Sequence, residues 1–250
     1  MTSVLENDQN SATPKRPQRP VPWPIAFYRS AVGKKWIMAL TGFMLLGFVL
    51  MHMVGNLKVY LGDIDGRPDI DIYGEWLRTV GEPALPRGVF LWMMRIGLIV
   101  AAVLHIHSAY SLTIINRKAR PTKYQAPRDY AAANFASRTM RWSGVIVGAY
   151  IIYHLMDLTW GVGGADFERG ETYDNLVHSF ERPAVAAVYI VANILLSIHI
   201  FHGAWSMFQS LGWNSPRFNP ARRWFATGLA AVILIGNVSF PIAVLTGVID

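Results

Sequence analysis

Seven histidines are the side chains of this sequence best suited to hold a metal, and six of them lie inside long apolar runs. An imidazole without a partner in hydrocarbon is costly, so each of the six is a candidate functional group. His52 comes late in MALTGFMLLGFVLMHMVGNLKVYLG (Met38 to Gly62), with Gly55 and Asn56 just behind it. His105 and His107 lie near the end of a second run, His154 in a third ahead of Asp157 and Trp160, and His199 and His202 in a fourth ahead of Gly203 and Trp205. The seventh, His178, falls in a polar loop where solvation accounts for it. Two neutral imidazoles at one level of facing helices can take a haem iron between them, each fixed by a hydrogen bond from its other ring nitrogen.

The elements that must position these rings are membrane helices. Of the 250 residues 52% are hydrophobic and 16% charged, a membrane composition. Five segments, near 36–59, 88–115, 140–160, 184–208 and 224–247, are about as long as the ~20 residues that cross a bilayer core. The expected fold is an all-α bundle of five transmembrane helices over residues 30–250, preceded by a tail and interfacial segment over residues 1–29. The net charge of +7 alternates along the chain. Residues 1–35 hold six Lys/Arg against two acids, 117–141 seven against one, and 209–223 three against none, whereas 60–87 hold six acids against three bases and 161–183 five against two. The positive-inside rule then predicts a cytoplasmic N-terminus and an outer C-terminus in a multi-pass protein of the cytoplasmic membrane. The basic balance thus reports topology, and nucleic-acid binding is not expected. With no cysteine, the chain itself offers no disulfide and no thiolate ligand. Residues 1–24 are polar and proline-bearing, without the apolar core of a cleaved signal, and read as a tail without fixed structure.

This topology sorts the histidines into two depths. His52 lies roughly 24 Å along the first span at ~1.5 Å per residue, toward the outside, and His154 is at a similar level. His105, His107, His199 and His202 lie toward the cytoplasm. His105 and His107 are about 200° apart on a helix and face opposite ways, while His199 and His202 share a face. Glycines 47, 55, 144 and 148 could admit a flat macrocycle or serve helix packing. Arg95 could neutralise a cofactor carboxylate or snorkel to headgroups. Arg29, Ser30 and Lys34 form either an interfacial anchor or a polar mouth for a quinone headgroup. Asp157 is expected at the interface rather than buried, and the fifth span as a packing helix. A transmembrane proton relay or a cofactor-free anchor are the competing readings.

HMVGNLKVYLG (His52 to Gly62), HSAYSLTI (His107 to Ile114), YHLMDLTW (Tyr153 to Trp160) and HIFHGAWSMFQSLGW (His199 to Trp213) occur in an order that resembles the cytochrome b558-type membrane anchors of succinate dehydrogenase and fumarate reductase. The resemblance implies a five-helix anchor with two b haems, the outer held by His52 and His154 and the inner by His107 and His199; it prefers His107 to His105 and His199 to His202. It also implies a flavoprotein subunit that oxidises succinate and an iron–sulfur subunit, docked on the basic segments 117–138 and 210–223. Further expectations are a quinone, menaquinone by expectation, and a possible small extra membrane subunit. This chain would not contact the dicarboxylate. Some family members depart from two haems, in which case His105 and His202 could serve a non-haem metal or iron–sulfur centre with thiolates from a partner chain.

Overall fold

The computed structural model describes residues 21–119, 135–163 and 166–250, with side chains omitted for 135–139. The tail 1–20 and most of the basic segment 117–138 lie outside the described residues, so the expectations for them are not addressed by the fold. Within it, every long element is a helix.

The chain enters through a short helix α1 (Trp23–Arg29), which starts on two prolines at Pro22 and Pro24, and turns at Ser30 into α2 (Ala31–Asn56). Ser30 caps α2: its hydroxyl oxygen accepts from the Gly33 amide at 2.9 Å, which satisfies one of the orphan donors of the first turn. That cap starts the helix ahead of the apolar run. A 3-10 turn (Leu57–Tyr60) leads to a two-stranded hairpin of β1 (Asp63–Ile64) and β2 (Arg67–Pro68). Its turn, Asp65-Gly66, has positive φ at both residues, the backbone that two-residue hairpins require. Then follow α3 (Asp69–Thr79), α4 (Val89–Lys118), α5 (Phe135–Leu158), α6 (Thr172–Phe180), α7 (Pro183–Ser210) and α8 (Asn219–Leu245).

Among the described residues four helices are long and apolar enough to cross a membrane: α2 with its 3-10 extension, α4, α7 and α8. The chain is therefore an all-α, multi-pass membrane protein. α5 has 24 residues, but Arg141, His154 and Asp157 dilute its apolar content, and it is not among the four. The outward surface of the helices is apolar, as at Phe43, Met51, Ile99, Val103, Val145 and Ile235, the arrangement expected where lipid is the solvent.

The tight packings are α7 on α8, α2 on α4, α5 on α7 and α2 on α7. Small buried residues allow the closest of these: Ala186, Ala192 and Ala204 on α7, and Ala226 and Ala230 on α8. Around the bundle the order is α4, α2, α7, α5, so α2 stands across from α5 and α4 across from α7.

The two acidic segments fold into helices rather than open loops. α3 and α6 pack across the end of the bundle where α2 finishes. Ile70, Leu176, Val177 and Phe180 are buried there with Val59, Tyr189, Phe240 and Val244. Asp71, 2% exposed, joins the pair by accepting from the Thr172 and Tyr173 amides at 2.5 and 3.1 Å. A carboxylate at a helix N-terminus is favoured by both the free N–H groups and the helix dipole.

Candidate cofactor site

The facing helices bring histidines together twice. His52, four residues from the end of α2, and His154, late in α5, have ring centroids 5.9 Å apart and planes at 82°. His105 on α4 and His199 on α7 are 6.5 Å apart at 65°. Metal–nitrogen bonds of about 2 Å on each side place the centres of two axial imidazoles roughly 6 Å apart. Both pairs fit that spacing, and both join helices that are not tightly packed on each other.

The pair at His199 differs from the one the resemblance implies: its partner is His105, and His107 points elsewhere. The buried stripe of α4 runs through Ala101, Ser108 and Leu112. At ~100° per residue His105 falls within roughly 60° of each of these, whereas His107 falls well off the stripe. His107 is exposed; its Nδ1 and the Tyr28 hydroxyl hydrogen-bond at 2.5 Å, and Ser111 Oγ lies 3.5 Å from its Nε2. The small residues Gly97, Ala101 and Ser108 were the sequence signal that marks the inward face.

The His105–His199 pair is held in position from behind. His105 Nδ1 lies 3.1 Å from the Met38 carbonyl oxygen and 3.4 Å from Thr41 Oγ1. A carbonyl only accepts, so His105 carries its proton on Nδ1 and presents an unprotonated Nε2. His199 Nδ1 lies 3.3 Å from Ser143 Oγ, whose hydroxyl also lies within donating distance of the Met140 carbonyl at 3.0 Å. Glycines permit this approach: a Cβ at Gly42 would stand 3.2 Å from His105 Cε1, and one at Gly144 would stand 3.4 Å from His199 Cε1.

The His52–His154 pair is less restrained. His52 stacks on Phe48 at 5.3 Å, and Asn56 Nδ2 reaches its Nε2 at 3.4 Å. His154 lies between Tyr150 and Tyr189, each ring 6.0 Å away, and its Nδ1 is buried without a hydrogen-bond partner. Buried polar atoms are rarely left so. Gly47, Gly97 and Gly148 have nothing within 4 Å of where a Cβ would stand. Paired rings and an orphaned imidazole nitrogen fit a two-ligand group such as haem. Gly55 serves another purpose, since its missing side chain makes room for the Tyr73 ring. Among the described residues no group of three or more His, Asp or Glu side chains is placed to hold a metal ion.

The other sequence candidates separate from these pairs. His202 is half-buried beside Phe201, with its Nε2 unpartnered. Arg95 is exposed and lies over the Trp92 ring at 5.1 Å. Lys34 is buried, donates to the Tyr28 carbonyl at 3.0 Å and sits over the Tyr28 ring. The Ser30 hydroxyl donates to the Phe27 carbonyl while capping α2, and Arg29 is exposed.

Asp157 corrects the sequence expectation of an interfacial group. Its side chain is fully enclosed, because donors converge on it: Arg182 Nη2 at 2.8 Å, the Tyr189 hydroxyl at 3.0 Å, and the Ser179 hydroxyl. Arg182 also donates to the Gly163 carbonyl at 2.6 Å. A carboxylate this well paired can stay charged while buried.

Residues 116–237 match the family model described as the succinate dehydrogenase/fumarate reductase transmembrane subunit. The matched stretch is just under half of the chain. The match takes in α5, α6, α7 and most of α8, and with them His154, His199 and His202. His52 and His105 stand before it and are tied to the matched histidines by the pairing geometry. No curated protein and no solved structure matches the chain.

Proposed function

We propose that this chain is the cytochrome b anchor of a succinate:quinone oxidoreductase in the cytoplasmic membrane, with one haem b between His52 and His154 and a second between His105 and His199. The observation that carries the reading is the pairing of imidazoles between helices that stand across the bundle from one another. His105 replaces His107 in this assignment because it occupies the buried stripe of α4. The bundle counts α5 as its fifth span, with the N-terminus on the cytoplasmic side by the charge alternation.

Haem held this way supplies one-electron transfer between two levels of the membrane. The chain's own residues set the ligands. The Met38 carbonyl holds the His105 proton on Nδ1, Ser143 holds His199 at Nδ1, and Gly42 and Gly144 let both rings stand close to neighbouring backbone. Succinate oxidation to fumarate, which releases two electrons and two protons, belongs to a flavoprotein subunit, and an iron–sulfur subunit delivers the electrons. This chain touches neither dicarboxylate. Its part is to pass those electrons on to a quinone, which takes up two protons to become quinol.

For the quinone, the mouth formed by Arg29, Ser30 and Lys34 extends to Tyr28 and His107. The Ser30 hydroxyl and the Lys34 ammonium already have partners within the chain. Tyr28 and His107, hydrogen-bonded to one another between α1 and α4, are the groups there able to orient a quinone carbonyl and to exchange a proton with it.

The decisive measurement is the dithionite-reduced spectrum of the purified chain. A b-type α band with close to two haems per chain is expected, and a colourless preparation, or loss of the band without loss of helicity on mild delipidation, overturns the reading. For the quinone end, Tyr28→Phe is expected to raise the KM for quinone about tenfold, the effect of losing roughly 1.4 kcal/mol of binding, with the haem spectrum unchanged. An unaltered KM removes Tyr28 from the site.

A further inference from the structure

We propose that the recess where α3 meets α4 binds the phosphodiester headgroup of an anionic membrane phospholipid through the guanidinium groups of Arg78, Arg87 and Arg95. This inference rests on α4 crossing the membrane and is independent of the haem assignment.

The recess measures about 280 Å³ and is lined by Arg78, Arg87, Gly88, Leu91, Trp92 and Arg95. It is formed by a reversal of the chain. The Gly88 amide donates to the Arg78 carbonyl at 2.7 Å, and Gly88 itself has a φ of 80°, so α3 ends and α4 begins side by side. Three guanidinium groups thereby line one recess, and two of them share a single carboxylate, Glu75, which pairs with Arg78 at 3.5 Å and with Arg87. Among the described residues Arg95 has no carboxylate partner; it is held instead over the Trp92 ring at 5.1 Å. The site carries an excess of about two positive charges. Its donors have the planar fork that matches phosphate oxygens.

A lipid, rather than a soluble anion, is indicated by what continues from the recess. Trp92, Ile96, Ile99, Val103 and Ile106 recur at helical spacing down α4, and all are more than half exposed. An acyl chain attached to a phosphate at Arg95 would lie along this stripe. Trp76 and Trp92, 56% and 60% exposed, place the recess at the level where indole rings gather, the headgroup region. Arg95, six residues into α4 and about 9 Å from its start at ~1.5 Å per residue, reaches back toward that level, as long basic side chains near helix ends do.

The test uses the full chain purified with its native partner subunits in a neutral detergent, titrated with dioleoylphosphatidylglycerol or dioleoylphosphatidylcholine and read by native mass spectrometry. Wild type is expected to retain phosphatidylglycerol over phosphatidylcholine. Arg95→Gln and Arg87→Gln should each weaken phosphatidylglycerol retention about fivefold, the effect of one basic side chain near an anionic membrane surface. Phosphatidylcholine should be unaffected, and Arg95→Lys should keep most of the preference. Arg87 lies outside the helices, so Arg87→Gln keeps the proposal testable if Arg95→Gln fails to fold. Inorganic phosphate at equal concentration should displace none of the lipid. Equal retention of the two lipids by wild type, an unchanged preference in both glutamine variants, displacement by inorganic phosphate, or loss of haem from Arg95→Gln with the lipid preference intact would each overturn the proposal.

Discussion

His52→Ala and His154→Ala each remove the same half of the reduced b-type absorbance, and His105→Ala and His199→Ala each remove the other half. This pattern is expected because a low-spin haem with two axial imidazoles is lost when either is removed, and the rings meet in two separate pairs at 5.9 and 6.5 Å. His107→Ala is the sharpest arm. By the family resemblance it belongs to the second pair, but in the fold it is turned away to Tyr28, so both haems are expected to survive its removal. The measurement is haem per chain by pyridine haemochrome, with the α band resolved at low temperature to tell the two haems apart. Loss of the second haem in His107→Ala with retention in His105→Ala would reverse the assignment. Loss across pairs, with His52→Ala removing the haem lost in His199→Ala, would end the two-level scheme.

The outcome at α4 shows where a single sequence stops. Charge alternation and run length order residues along a membrane normal, and on that axis His52 belongs with His154. They carry no information about rotation around the helix. His105 and His107 share one turn, so depth treats them alike, and only the line Ala101–Ser108–Leu112 separates them. The same limit applies to Asp157: its distance from the end of the apolar run suggested an interface, yet Arg182 and Ser179, more than twenty residues on, fold back to enclose it. Nor was the folding of the acidic segments legible from their charge. α3 and α6 are amphipathic, with apolar faces formed by residues such as Ile70, Leu176 and Phe180 that close one end of the bundle. Run length and hydropathy pointed to five spans, and among the described residues four of them, α2, α4, α7 and α8, are helices long and apolar enough to cross a membrane. The remaining segment, near 140–160, falls in α5, where Arg141, His154 and Asp157 lower the apolar content.

Arg182→Ala should destabilise the protein by about 3–5 kcal/mol, the usual cost of stripping one partner from a buried ion pair. The Asp157 side chain is 0% exposed and Arg182 30%, so the penalty falls on the carboxylate, left with two hydroxyl donors and no countercharge. Pairing the change with Asp157→Asn should recover a large part of the loss, since an amide can keep the Ser179 and Tyr189 bonds without a charge to solvate. A double variant as unstable as Arg182→Ala would mean that the guanidinium acts through its bonds to Gly163 and Ser179 rather than through its charge. The readout is the unfolding midpoint in detergent followed by helicity. A second readout links stability to the cofactor site. Asp157 lies one turn beyond His154 on α5, and Tyr189, which donates to it, also borders the His154 ring. In Arg182→Ala the haem between His52 and His154 should therefore be lost at a lower denaturant concentration than the haem between His105 and His199, whose supports, Met38 and Ser143, lie toward the other end of α2 and α5. Simultaneous loss of both would show that the buried pair sustains the whole bundle rather than the end at which it sits.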